Sequence, residues 1–111
     1  MARCPDDATD GAAVAFDEAD GTVSVRGCLR GRNGCARAAL PDDGVTYDAD
    51  AGVLHVRVHT VVEADEDTVC TQAITPRGYE ATARFEGGLP GVVAVVHDDV
   101  DGRREVARVE R

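Results

Sequence analysis

Apolar side chains recur at every second position of short segments that glycine-containing turns interrupt, and this spacing all but dictates β-structure. In 22–30, Val23, Val25 and Leu29 alternate with Ser24, Arg26 and Arg30; in 53–58, Leu54, Val56 and Val58 alternate with His55 and Arg57. In 79–86, Tyr79, Ala81, Ala83 and Phe85 alternate with Glu80, Thr82, Arg84 and Glu86. Alternation of this kind gives a strand one face for a core and one for water. Val92-Val93-Ala94-Val95-Val96 is apolar on both faces and suits a central strand. Asp20-Gly21, Asn33-Gly34, Asp43-Gly44, Gly87-Gly88 and Asp101-Gly102 supply turns between the segments. No window longer than ten residues carries apolar positions at helical spacing. The pattern predicts an all-β chain, an antiparallel two-sheet sandwich of immunoglobulin-like type with seven to nine short strands. Residues 1–111 are read as one domain, with 1–10 as a loosely ordered N-terminus.

The interior has to be built from small pieces. Seventeen valines and seventeen alanines stand against four aromatic residues, Phe16, Tyr47, Tyr79 and Phe85. A core of valines, each contributing about 1.5 to 3 kcal/mol when buried, benefits from covalent cross-links. The surface is acidic and selective in kind: all twelve basic residues are arginine, fourteen of the twenty-one acids are aspartate, and the net charge is −9. A folded domain so charged repels itself, and the repulsion fades as salt shortens the Debye length from about 10 Å at 0.1 M to about 3 Å at 1 M. The composition therefore reads as halophilic, and the same charge argues against nucleic acid as a partner. No apolar run approaches the ~18 residues of a transmembrane segment. The start, Met1-Ala2-Arg3-Cys4-Pro5, lacks the basic-then-apolar pattern of a secretory signal. A full-length chain is therefore expected in the cytoplasm, and a chain trimmed before Cys4 would be exported or lipid-anchored.

Several stretches also carry a resemblance: Cys35-Ala36-Arg37-Ala38-Ala39-Leu40, Val69-Cys70-Thr71-Gln72-Ala73-Ile74-Thr75, Tyr79-Glu80-Ala81-Thr82-Ala83-Arg84-Phe85-Glu86-Gly87-Gly88-Leu89-Pro90 and Val95-Val96-His97-Asp98. Together they resemble a set of small uncharacterised haloarchaeal proteins, themselves expected to be β-sandwiches. The resemblance covers residues 21–98, implies the fold and the saline habitat, and brings no activity with it. Its pattern includes Cys35, Cys70 and a cysteine near the N-terminus, but not Cys28.

Four cysteines permit three pairings. If Asn33-Gly34 made a two-residue type I′ hairpin, Arg32 would face Cys35, and Cys28 would lie about 13 Å down its strand, beyond the ~7 Å Cα limit of a disulfide. Two schemes remain, and the expected one joins Cys4 to Cys28 and Cys35 to Cys70, each bridge adding about 3 to 4 kcal/mol. Free structural thiols are the bland alternative. A zinc site is disfavoured because the intervals of 24, 7 and 35 residues contain no tight knuckle, and no Cys-x-x-Cys motif supports redox chemistry.

The same hairpin would place Arg26, Arg30 and Arg32 with Cys28 on an outer face beside Cys35 and Arg37, Arg30 directly opposite Arg37. Like charges in such positions call for something acidic among them: an intramolecular carboxylate in the plain reading, a small anion or a protein partner in the functional one. His55 and His59 stand about 13 Å apart on one strand face and could share an ion only with help from His97 or a carboxylate. All three histidines are weak metal candidates that read as solvent-facing. The Asp48-Ala49-Asp50-Ala51-Gly52 stretch lacks the third ligand of a calcium loop, and the clusters at Asp17-Glu18-Ala19-Asp20, 63–67 and Asp98-Asp99 read as hydrated loops. Ser24 is the single serine, without a nucleophile elbow, and a chain without lysine has no phosphate-binding loop. The expectation is a non-enzymatic binding or protein-interaction module without cofactor. The alternative is a small metal-binding or redox protein that uses the cysteines and histidines.

Overall fold

The computed structural model describes residues 11–62 and 68–111, which form eight strands and no helix. These are β1 (Ala12–Asp17), β2 (Thr22–Gly31), β3 (Ala36–Ala39), β4 (Val45–Asp48), β5 (Val53–Val62), β6 (Thr75–Arg84), β7 (Val92–Asp99) and β8 (Gly102–Glu110). They build two sheets, as the alternation requires. One has three strands in the order β1-β2-β6; the other has five, β3-β5-β7-β8 with β4 also on β5. The inward positions are those picked out by parity: Val23, Val25 and Leu29 meet Leu54, Val56, Val58, Val93 and Val95 in one buried cluster. β7 is the central strand its apolar run suggests, with β5 on one side and β8 on the other. The larger sheet is mixed rather than wholly antiparallel, because β5 and β7 run parallel, Val53 opposite Val92 and His59 opposite Asp98. The chain leaves β5, passes through β6 in the other sheet and returns, so it re-enters in the same direction.

The hairpin expected across Asn33-Gly34 does not form, and the reason is topological. β2 already pairs with β1 along one edge and β6 along the other, leaving no edge for the following strand. Instead Asn33 turns the chain between sheets: its Oδ1 accepts a bond from the Cys35 N–H at 2.9 Å and its carbonyl one from the Ala36 N–H at 3.2 Å. The crossing is tight, since a Cβ at Gly31 would overlap that of Ala36. Consequently Arg30 lies opposite Pro76 on β6 and Arg37 opposite Val61 on β5, in different sheets, and the expected facing of these two arginines is corrected. Cys28, expected on an outer face, is buried.

Cys35 and Cys70 are joined, with Cα atoms 5.4 Å apart, and the bridge staples the start of β3 to the segment that leads into β6. Cys28 is also disulfide-bonded. Its expected partner, Cys4, lies outside the described residues, as does the acidic cluster 63–67.

Candidate functional site

The three-stranded sheet covers the five-stranded one incompletely. β6 is an edge strand, hydrogen-bonded to β2 on one side, and the short strands β3 and β4 extend the opposite sheet at this edge. The inward side chains of β6 and its extension are Arg77, Tyr79, Ala81, Ala83 and Phe85. The two ends of this row reach across to the other sheet. Arg77 donates from Nε to the Ala36 carbonyl and from Nη2 to that of Gly34, both at 2.8 Å. Phe85 meets Tyr47 of β4 edge to face, with ring centroids 5.3 Å apart.

Between these closures β6 carries the short Ala81 and Ala83, and Leu40 and Val45, which line the same cavity, are each 45 % exposed. A cavity of about 200 Å³ lies over Ala38, Leu40, Val58, Tyr79 and Ala81. It adjoins one of about 100 Å³ that passes Leu40 and Val45 and reaches the core residues Val23, Val25, Leu54 and Val56. Leu40 and Ala81 line both, so the two lie side by side as a largely apolar slot along β6, to which Glu80 and Thr82 contribute polar groups. No signal in the sequence marks it, because which strands border it is set by the pairing of distant segments.

Behind the slot lies a buried polar pair. His97 on β7 is fully inaccessible, and its Nε2 is 2.6 Å from the Tyr79 hydroxyl of β6. Its Nδ1 has no partner among the described residues. The reading of His97 as a solvent-facing histidine is therefore overturned. Its parity with Val93 and Val95 is the signal that points inward. Burial, reinforced by the Arg104 charge against the opposing Asp99, lowers its pKa to about 4, and burial raises that of Tyr79. Only glycine fits beneath the tyrosine ring: a Cβ at Gly27, opposite in register, would collide with it. His55 is exposed and His59 lies beside Asp98, on the face away from His97. The three histidines do not converge, and no cluster of three metal-ligating side chains occurs among the described residues.

The arginines of the expected contact face are dispersed. Arg30 pairs with Asp101 at 3.2 Å, and its backbone N–H reaches Asp99 at 2.9 Å. Asp99, with a fully covered side chain, also receives Arg104 at 2.8 Å. Burial acts to raise the Asp99 pKa, but Arg104 and the backbone N–H groups of Arg30 and Asp101 outweigh it and hold the carboxyl below its ordinary range. This network pins the β7–β8 turn to the end of β2. Arg26 sits opposite Glu80 on β6, and Arg37 lies across the sandwich on β3. Arg32 lines an open groove of about 500 Å³ with His59, Thr60, Val62, Asp98 and Val100. Asp98 is paired there with Arg103 at 3.3 Å. The Asp48 carboxylate acts as a turn former, its Oδ1 accepting from the N–H groups of Asp50 at 3.1 Å and Ala51 at 3.2 Å. No helix among the described residues is long and apolar enough to cross a membrane. No family model, curated protein or solved structure matches the chain.

Proposed function

We propose that the protein is a non-enzymatic, halophilic binding module of immunoglobulin-like plan that takes a protein partner along the slot beside β6. The observation that carries this reading is the slot itself: an apolar opening that runs from the exposed Leu40 and Val45 down to core valines, beside a strand that pairs on one side only among the described residues. The alternative of a metal or redox protein has less support, because Cys35 and Cys70 are cross-linked and the histidines lie on opposite faces.

The test is a photo-crosslinking side chain placed at Leu40, compared with one at Glu105 on β8, in cells grown in concentrated salt. A discrete protein adduct from the Leu40 position only is the expected result; equal adducts from both positions, or none, would sink the reading. The halophilic part has its own measurement. Dialysis from multimolar to about 0.1 M salt should lower the melting temperature of a chain at net charge −9, and an unchanged melting point would remove that claim.

A further inference from the structure

We infer that Asn33 is a modification site held shut by the Cys35–Cys70 bridge, and that reducing the bridge opens it to deamidation, which turns Asn33-Gly34 into an aspartyl or isoaspartyl linkage. The site lies at the crossing between the sheets and is independent of the slot. Sequence supplies the first argument. Asn33 is the single asparagine of the chain, and glycine follows it, the neighbour that leaves its own backbone nitrogen least hindered. The turns at Asp20-Gly21, Asp43-Gly44 and Asp101-Gly102 use aspartate instead. The bond that shapes the turn at Asn33 uses Oδ1, an atom aspartate also has, so an aspartate there keeps the contact with the Cys35 N–H.

The chemistry is intramolecular. The Gly34 nitrogen gives up its proton to base and attacks Asn33 Cγ; the new C–N bond closes a succinimide ring as the carboxamide nitrogen takes up a proton and leaves as ammonia. Water then adds to a ring carbonyl and cleaves its bond to the Gly34 nitrogen, giving aspartate when the bond from Cγ is cut and isoaspartate when the backbone C–N bond is cut. Asparagine and water become an acidic residue and ammonia, with no change of oxidation state.

In the folded, oxidised chain that nitrogen is tied down. The Gly34 N–H donates to the Thr71 carbonyl at 2.9 Å, and the carbonyl of the same peptide, on Asn33, accepts from the Ala36 N–H at 3.2 Å. Both bonds must break before the peptide turns its nitrogen onto Cγ. Arg77 holds the next peptide as well, donating from Nη2 to the Gly34 carbonyl at 2.8 Å. Thr71 is where the arrangement depends on the bridge. It follows Cys70 in a segment outside any strand, in which Val69 is 95 % exposed and 71–74 are exposed throughout. Gly34 packs against it closely enough that a Cβ there would stand 3.0 Å from the Thr71 Cβ. The bridge joins the neighbours of these two residues and keeps the acceptor on the donor. A dithiol that reduces it leaves two protein thiols and its own cyclic disulfide, and the Gly34 N–H is then free to exchange Thr71 for water. Isoaspartate inserts a methylene into the backbone of a crossing where a Cβ at Gly31 would already overlap that of Ala36, and so records the reduced interval permanently.

The experiment follows Asn33 by peptide mapping after incubation in multimolar potassium chloride at mildly alkaline pH. Oxidised wild type is compared with the Cys35→Ser, Cys70→Ser double variant and with wild type unfolded in guanidinium with alkylated thiols, and amide hydrogen exchange is read alongside. Asn33 should be stable in the oxidised chain and convert at least about tenfold faster in the double variant, approaching the unfolded chain. Protection should be lost at Gly34 and kept across Val92–Asp99 of β7. Gly34→Ala in the double variant should slow the conversion again, since a methyl group hinders the attacking nitrogen. Equal rates in the oxidised chain and the double variant, or an oxidised chain as fast as the unfolded one, would overturn the inference. So would acceleration accompanied by lost protection in β7, because unfolding rather than the bridge would then set the rate, and so would a Gly34→Ala form that converts as fast as its parent.

Discussion

The two lateral edges of the sandwich use nearly the same small-residue alphabet and close to different degrees. At the β1–β8 edge, Val14 and Phe16 from one sheet and Val106 and Ala107 from the other pack against the buried cluster. Arg111 then ties the rim, reaching Glu18 at 2.7 Å by its side chain and the Gly91 carbonyl at 2.8 Å by its backbone. At the β6 edge the equivalent inward positions are Ala81 and Ala83, and closure is left to Arg77 at one end and the Tyr47–Phe85 contact at the other. The difference amounts to a few methyl groups at two positions. In a core assembled from valine and alanine, differences of this size shape how an edge is filled, and each edge keeps an opening of its own: the slot beside β6, and a groove of about 470 Å³ bordered by Glu18, Gly21, Phe85 and Arg111 at the other rim.

The comparison can be strained at the covalent staple first. Cys35→Ser with Cys70→Ser frees the strand that forms one lip of the slot, and the loss should be about 3 to 4 kcal/mol for a loop of this separation, read from chemical denaturation at fixed salt. An effect below about 1 kcal/mol would mean that packing alone holds the open edge.

Acid comes next, through His97, which lies against Tyr79 on the open side. Its folded pKa is about 4 against 6.5 for a free histidine, so between those values the unfolded chain binds the extra proton. Stability should therefore be full above pH 6.5, decline as pH falls toward about 4, and level off with respect to this residue below that, losing roughly 3 kcal/mol in all. Asp99, its carboxyl held low in the fold, adds a loss of the same sign at still lower pH. His97→Phe should flatten the upper part of the profile; an unchanged profile would assign it to other groups. Tyr79→Phe removes the hydroxyl that partners the imidazole and should cost about 1 to 3 kcal/mol.

The most direct contrast is one substitution made on both edges. Ala107→Leu, on the packed side, should cost about 1 to 3 kcal/mol by overpacking, whereas Ala83→Leu should be neutral or stabilise by about 0.5 to 1 kcal/mol by filling space. Equal destabilisation would mean the slot is too narrow to accept even its own filling. The smallest effect belongs to Arg111→Ala, an exposed pair whose loss should cost less than about 1 kcal/mol.

Side-chain parity was enough to place the faces of β2 and β5, since Val23, Val25, Leu29, Leu54, Val56 and Val58 all lie inward as alternation requires. The bridge between Cys35 and Cys70 agrees with the expected pairing. The hairpin at Asn33-Gly34 misled for a physical reason: a dipeptide reports local turn preference, while the edges left free on β2 depend on β6, which arrives more than forty residues later. His97 shares the inward parity of its valine neighbours, yet a histidine is placed inside only when a partner is known, and Tyr79 comes from the opposite sheet. The arginine face dissolved with the hairpin that had assembled it. The slot was not legible at all, since it consists of a missing neighbour and of two alanines that are unremarkable as residues.

The parallel pairing of β5 with β7 also has a kinetic side. Val53 meets Val92 and Thr22 meets Arg84, so the contacts that define both sheets join distant parts of the chain, and each demands loop closure before any burial rewards it. A topology of this kind folds slowly, on the order of milliseconds to seconds. Once oxidised, Cys35–Cys70 encloses β5 in a ring and shortens the search that brings β6 over it. The oxidised chain should therefore refold faster than the reduced one, and the moment of oxidation becomes a step in assembly as well as a reinforcement of its product.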